Sequence, residues 1–139
     1  MVRSQSRRAL ALAPALVVAA VVFGVACGPP TIDVGTPFSI VATEPAHGAV
    51  DVGVDVLPRV SFNRAVTVST AETGIQLVVA GADLERTITA QDNGKTIELV
   101  PRHALPRNTD VTLEVASTVE ASDGIALETK VDATFHTSP

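Results

Sequence analysis

The sequence predicts an all-β fold, a two-layer β-sandwich of about seven strands preceded by a signal peptide and a short tether. Three observations predict it. From Phe38 onward, apolar and polar residues alternate in short runs divided by Gly, Pro, Asn and Asp, which is how half-buried strands and their turns read. The apolar content is Val, Ala, Ile and Leu, with four Phe and neither Trp nor Tyr, and its β-branched share favours strands. Upstream, an arginine-bearing head and a charge-free run have the form of an export signal.

Taken in order, Met1 to Arg8 carries Arg3, Arg7 and Arg8 and no acid, and Ala9 to Ala26 is uncharged and ends in the small pair Val25 and Ala26. The only cysteine, Cys27, follows directly. This arrangement resembles the lipobox of bacterial lipoproteins, in which the signal is cut before a cysteine that has received a diacylglyceryl group. Val25, Ala26 and Gly28 fit, while Gly24 stands where a large aliphatic residue is usual. The resemblance implies lipidation of Cys27, with palmitate-like chains as the membrane anchor, and Gly28 implies an outer-membrane destination in bacteria with two membranes. Lipid adds about 0.8 kcal/mol per buried CH₂, so several chains on one residue hold an acidic protein at a membrane without basic residues. A plain secretory signal without lipid, or an uncleaved anchor of roughly 20 residues, remains open. Pro14 and the small residues near Cys27 argue for cleavage.

The expected organisation is therefore a lipoprotein signal peptide over 1–26, the lipidated cysteine and flexible tether over 27–37, and the sandwich domain over 38–139. Removing 26 of 139 residues leaves 113, enough for one domain and too few for two. Losing three arginines moves the net charge from -5 to -8, which disfavours nucleic acid and anionic lipid surfaces as partners. One cysteine makes no internal disulfide, so an exported domain of this sequence is stabilised by its core alone.

Gly28 to Pro37 holds Pro29, Pro30, Gly35 and Pro37 without periodicity, as a tether does. Its ten residues reach at most about 33 Å. Phe38–Thr43 forms the first strand, Glu44–Ala49 a turn, and Val50, Val52 and Val54 resume along an edge. Val56–Asn63 is the second strand, with Val56, Pro58, Val60 and Phe62 on one face. Pro58 donates no hydrogen bond and belongs at the start of that strand or on an edge. Gly74–Ala80 turns Ile75, Leu77 and Val79 one way, and Glu85–Gln91 turns Ile88 and Ala90 inward. Asp92-Asn93-Gly94 is a hairpin signal, since Asn and Gly accept positive φ. Lys95–Val100 returns with Ile97 and Leu99 inward, Pro101–Asn108 makes a corner pinned by Leu105, and Thr109–Ser117 buries Val111, Leu113 and Val115. After a loop at Asp123-Gly124, Lys130–Thr137 closes the domain with Val131, Ala133 and Phe135 inward.

These residues resemble the bacterial Ig-like domains of the SbsA type, Big5. The pattern opens with Pro45-Ala46-His47-Gly48-Ala49, Val52 and Val60-Ser61-Phe62. It continues through Gly94-Lys95-Thr96-Ile97-Glu98-Leu99-Val100-Pro101 and the corner Leu105-Pro106-Arg107-Asn108-Thr109, and closes with Asp123-Gly124 and Phe135-His136-Thr137. Asp110 stands where a tyrosine usually follows the corner, and the closing loop is one residue tighter. The resemblance implies an Ig-like Greek-key sandwich and a noncatalytic extracytoplasmic role as spacer, adhesive or accessory module, with no catalytic residues to carry over.

Catalytic motifs are absent from the sequence: no Gly-x-Ser-x-Gly, His-Glu-x-x-His, phosphate loop or calcium loop occurs. No enzyme activity or cofactor is expected. Asp55, Asp92 and Asp123 read as turn residues rather than calcium ligands. His47, His103 and His136 fall at one pole of a seven-strand sandwich, where three imidazoles suit zinc, but no ligand spacing supports convergence. They read as solvated surface histidines, and no metal site is assigned. The chain enters at the pole of Asn93 and Asp123, which is expected to face the membrane. The opposite pole carries His47, Gly81, Asp83 and the basic cluster Arg102, His103 and Arg107, the first place to expect contact with an envelope protein or glycan. The expected role is a noncatalytic, lipid-anchored binding module of the bacterial cell envelope, or else a structural spacer or assembly subunit with no ligand.

Overall fold

A computed structural model of the chain describes residues 35–139. The expected signal peptide over 1–26, Cys27 and the expected tether as far as residue 34 lie outside the described residues. Eight strands build two four-stranded antiparallel sheets. They are β1 (Ile40–Glu44), β2 (Arg59–Phe62), β3 (Ile75–Val79), β4 (Ala82–Asp83), β5 (Arg86–Gln91), β6 (Thr96–Pro101), β7 (Asp110–Val115) and β8 (Val131–His136). The orders β1-β2-β6-β5 and β4-β3-β7-β8 are those of an immunoglobulin-type Greek-key sandwich.

The period-two pattern decides which face of each strand is covered. Val60 and Phe62 of β2 and Ile97 and Leu99 of β6 turn inward from one sheet, and Ile75, Leu77, Val111, Leu113, Ala133 and Phe135 do so from the other. All are almost completely removed from water, at about 25 cal/mol per Å² of apolar surface. Phe38 precedes β1 and stacks on Phe62 with ring centroids 5.2 Å apart. Ile88 is only half-buried and Ala90 is exposed, because β5 is the last strand of its sheet. Pro58 sits just before β2, where its carbonyl accepts the Leu99 N–H at 2.7 Å and its missing donor costs nothing.

Three local features depart from the period-two reading. Val50, Val52 and Val54 make no regular strand: only Val52 pairs, in one parallel bridge with Thr137. Ala80 and Gly81, both at positive φ, turn β3 into the two-residue β4, an eighth strand too short for any pattern. A seven-residue helix, α1 (Val68–Gly74), lies between β2 and β3. Its sequence is poor in helix formers, and a helix this short does not hold itself. Contacts from elsewhere hold it: Thr67 donates its N–H to the Glu120 carbonyl at 2.8 Å, and the Thr70 hydroxyl oxygen accepts the Glu120 N–H at 3.0 Å. Gly74 at its end packs so close to Val119 that a Cβ would meet the Val119 Cγ2 at 2.5 Å.

The expected hairpin joins β5 to β6 through a 3-10 turn over Asp92–Gly94, with Asp92, Asn93 and Gly94 all at positive φ. Its end of the sandwich also receives the entering chain. Asn63 Nδ2 donates to the Pro37 carbonyl at 2.8 Å, and the Arg64 guanidinium donates both to the Thr36 carbonyl and to Asp123 Oδ2, the latter at 2.9 Å. Val66 N–H donates to the Gly94 carbonyl at 2.9 Å, which fastens the hairpin to the same pole.

Candidate functional site

The opposite pole is built on the corner between β6 and β7. Leu105 is buried and its N–H donates to the Val54 carbonyl at 2.9 Å, so the corner is pinned from below. Arg102 N–H donates to the Glu85 carbonyl at 2.9 Å. Between these two fixed points His103 and Ala104 stand exposed at the apex. His103 and Arg102 line a shallow cleft of about 200 Å³ with Val54, Asp55, Val56 and Leu57.

The sequence-predicted contact residues divide. Arg102 and His103 share that cleft, and the Arg102 guanidinium pairs with Glu85 on its far side. Both partners are largely exposed, 63% and 68%, so the pair contributes less than about 1 kcal/mol and leaves Arg102 free to exchange partners. Arg107 lines no cleft with His103; its Nη1 donates to the Pro139 carbonyl at 2.9 Å.

At this end His136 closes β8 and His47 lies beside it. Nδ1 of His47 accepts the Thr134 N–H at 3.1 Å. His136 lies between Asp110, 2.7 Å from its Nδ1, and the Asn108 side-chain oxygen, 3.1 Å from its Nε2. Asp110, at the position where a tyrosine is usual, thus gains a polar partner on β8. Among the described residues no group of three or more His, Cys, Asp or Glu side chains is arranged to hold a metal ion. Asp123 is held by Arg64 and accepts the Ile125 N–H at 3.2 Å, a turn role, and Asp92 accepts the Thr96 hydroxyl at 2.9 Å.

Two features escape the sequence reading. One is the cluster of Lys130 with Glu114 and Asp132, 3.2 and 3.3 Å away. Hydrogen bonds to Glu114 and then to Asp132 hold the Lys130 ammonium above its ordinary value of 10.5. The other is a cleft of about 440 Å³ between the outer edges of β1 and β8. Its signal was that β1 and β8 each end a sheet, visible only once the sheet order is known.

The sequence pattern of the bacterial Ig-like domain, Big_5, matches residues 34–137. Among solved structures, domains 1–6 of the surface layer protein SbsC superpose with a TM-score of 0.55 at 13% identity, over 75% of this chain and 14% of that one. The chain thus spans about a seventh of that protein. The copper resistance protein PcoC from Escherichia coli superposes with a TM-score of 0.58 at 14% identity, over 72% of this chain and 99% of its own. An L,D-transpeptidase from Mycobacterium smegmatis gives 0.51 at 24% identity, over 74% and 41%. At these identities the likeness is one of fold alone. No curated protein sequence matches the chain.

Proposed function

Because this chain belongs to the bacterial Ig-like domain family Big_5, we propose that it is a noncatalytic module of the bacterial cell envelope. In this reading it is a lipoprotein of the outer membrane, carried by lipid on Cys27, and contacts an envelope protein or glycan through His103 and Arg102. The observation that carries the reading is the hold of Asn63 and Arg64 on Pro37 and Thr36. It fixes the entry point of the chain at the pole of Asp123 and Gly94, and Cys27 is eight residues upstream of Gly35, at most about 26 Å of chain. A lipid there turns the Asp123 pole to the membrane and leaves the corner with His103 pointing away.

A structural spacer without a ligand is the second reading. It is favoured by the pairing already in place at the corner, Arg102 to Glu85 and Arg107 to the Pro139 carbonyl. Fold neighbours include domains 1–6 of a surface layer protein, of which the match covers 14%.

Photo-crosslinking in intact cells separates the two, with the probe at His103 in one strain and at Asn93 in another. One recurrent protein or glycan adduct from His103 alone supports the binding module. Scattered or lipid-only adducts from both sites support the spacer. Mass spectrometry of the N-terminus tests the anchor, and an unlipidated Cys27 overturns the orientation.

A further inference from the structure

β8 ends its sheet, so one side of it is a row of backbone donors and acceptors open to further pairing. Residues of a strand alternate between its two sides. Thr137 N–H donates to the Thr109 carbonyl, so the odd-numbered residues of β8 bond to β7 and the even-numbered ones face outward. The segment after β1 covers the far half of this edge. Gly48 N–H donates to the Thr134 carbonyl at 2.7 Å, His136 N–H to the Ala49 carbonyl at 2.8 Å and Val52 N–H to the His136 carbonyl at 3.1 Å. That cover stops at Thr134. The next outward-facing residue, Asp132, has no backbone partner on that side among the described residues.

At Asp132 the edge borders the cleft of about 440 Å³ that separates β8 from β1, itself the last strand of the other sheet. Phe38, Ile40, Leu127, Val131 and Ala133 give the cleft an apolar lining. Its acidic lining residues are Glu128 and Asp132. The Asp132 carboxylate is already paired with Lys130 at 3.3 Å, so Glu128 is the acid on the rim without a cationic partner among the described residues. Open strand-edge backbone beside an apolar floor is what strand addition requires, and Glu128 on the rim favours a basic side chain in the added segment.

We propose that this cleft binds an extended segment of another polypeptide, alternating basic and β-branched apolar residues, which adds to β8 at Asp132. Backbone groups of the segment pair with Asp132, every second side chain enters the floor, and the basic side chains meet Glu128 at the rim. The surface is separate from the His103 corner, so the proposal does not rest on the function proposed above.

The test uses the full chain, isotope-labelled for NMR, titrated with acetyl-Lys-Val-Lys-Val-Lys-Val-amide. Two control peptides accompany it: the same peptide with Glu for Lys, and the same peptide N-methylated at alternate residues. Saturable shifts confined to the Lys130–Ala133 and Phe38–Ala42 edges are expected, with binding weakened at least about tenfold for each control. Asp132→Pro, which deletes the edge donor, is expected to weaken binding equally while the thermal transition persists; if that variant fails to fold, the N-methylated peptide decides. No saturation up to about 1 mM, equal binding of the N-methylated peptide, or shifts elsewhere would overturn the proposal. So would Asp132 amide protection without peptide. If that protection vanished when residues 28–34 were replaced by Gly and Ser, the occupant would be the chain itself; if it grew with concentration, a second copy.

Discussion

The Thr137 hydroxyl donates to the Pro106 carbonyl across 2.6 Å while its oxygen accepts the Thr109 N–H at 3.0 Å. Thr137 is completely buried, and its own N–H donates to the Thr109 carbonyl at 3.0 Å. One side chain after β8 therefore closes the corner that leads from β6 into β7, the corner whose apex is His103.

Thr137→Val keeps the shape and removes the hydroxyl, stranding the Pro106 carbonyl and the Thr109 N–H near the interior, while the Thr109 carbonyl keeps the Thr137 N–H. Leaving such groups unpaired costs about 1–3 kcal/mol each, and part of that is recovered where water reaches the half-buried Thr109. For a domain of this size each kcal/mol lowers the melting temperature by roughly 4–8 °C. Thr137→Ser restores the hydroxyl and is expected to recover most of the loss in a thermal melt. Equal stability of the Val variant and the native chain would show that the corner does not depend on this contact.

The sandwich was legible because its physical cause is short-range. Period-two alternation at Val111, Leu113 and Val115, or at Ile97 and Leu99, states which face is buried before any partner is known. The Asn93 turn was legible for a similar reason, since few residues tolerate its φ of 56°. Helix α1 was not, because Val68 to Gly74 has little helix propensity of its own and is held by Glu120, roughly 50 residues downstream. At the candidate site the sequence placed Arg102, His103 and Arg107 on one corner. It gave no sign that Glu85 and the Pro139 carbonyl take up the two guanidinium groups, as long-range partners have no local signature. The cleft beside Asp132 depends on sheet order, which alternation does not encode.

Gly74 and Gly53 are expected to respond in opposite ways to alanine. At Gly74 the added Cβ meets Val119 Cγ2 at 2.5 Å, whereas at Gly53 nothing lies within 4 Å and φ is not in the left-handed region. Gly74→Ala improves helix propensity by about 1 kcal/mol but overpacks a buried contact, which costs typically 1–3 kcal/mol. Net destabilisation is expected in urea unfolding, and it should shrink in the Val119→Ala background because the clash is gone. Gly53→Ala is expected to stabilise by roughly 0.4–1 kcal/mol through the unfolded chain. Additive effects of the Gly74 and Val119 substitutions would contradict the contact.

Lys130 is expected to give the domain an alkaline limit. Its ammonium is held by Glu114 and Asp132, so its folded pKa lies above the ordinary 10.5. A raised pKa on a cation stabilises the fold in full below the unfolded value, and that contribution is lost as pH rises through the folded one. The window therefore opens near 10.5 and extends upward. Few other groups titrate there, since the chain has no tyrosine and Lys95 is its only other lysine. Lys130→Met also leaves Glu114 and Asp132 directly opposite each other on β7 and β8 as like charges, which destabilises the pair at neutral pH and low salt. Denaturant unfolding between about pH 7 and pH 11.5 should show the native chain more stable than Lys130→Met at the lower end, with the gap narrowing above 10.5. Added salt should narrow it at every pH, because the cluster is exposed. A gap that stayed constant across this range would mean that the lysine acts through packing of its methylene chain rather than through its charge.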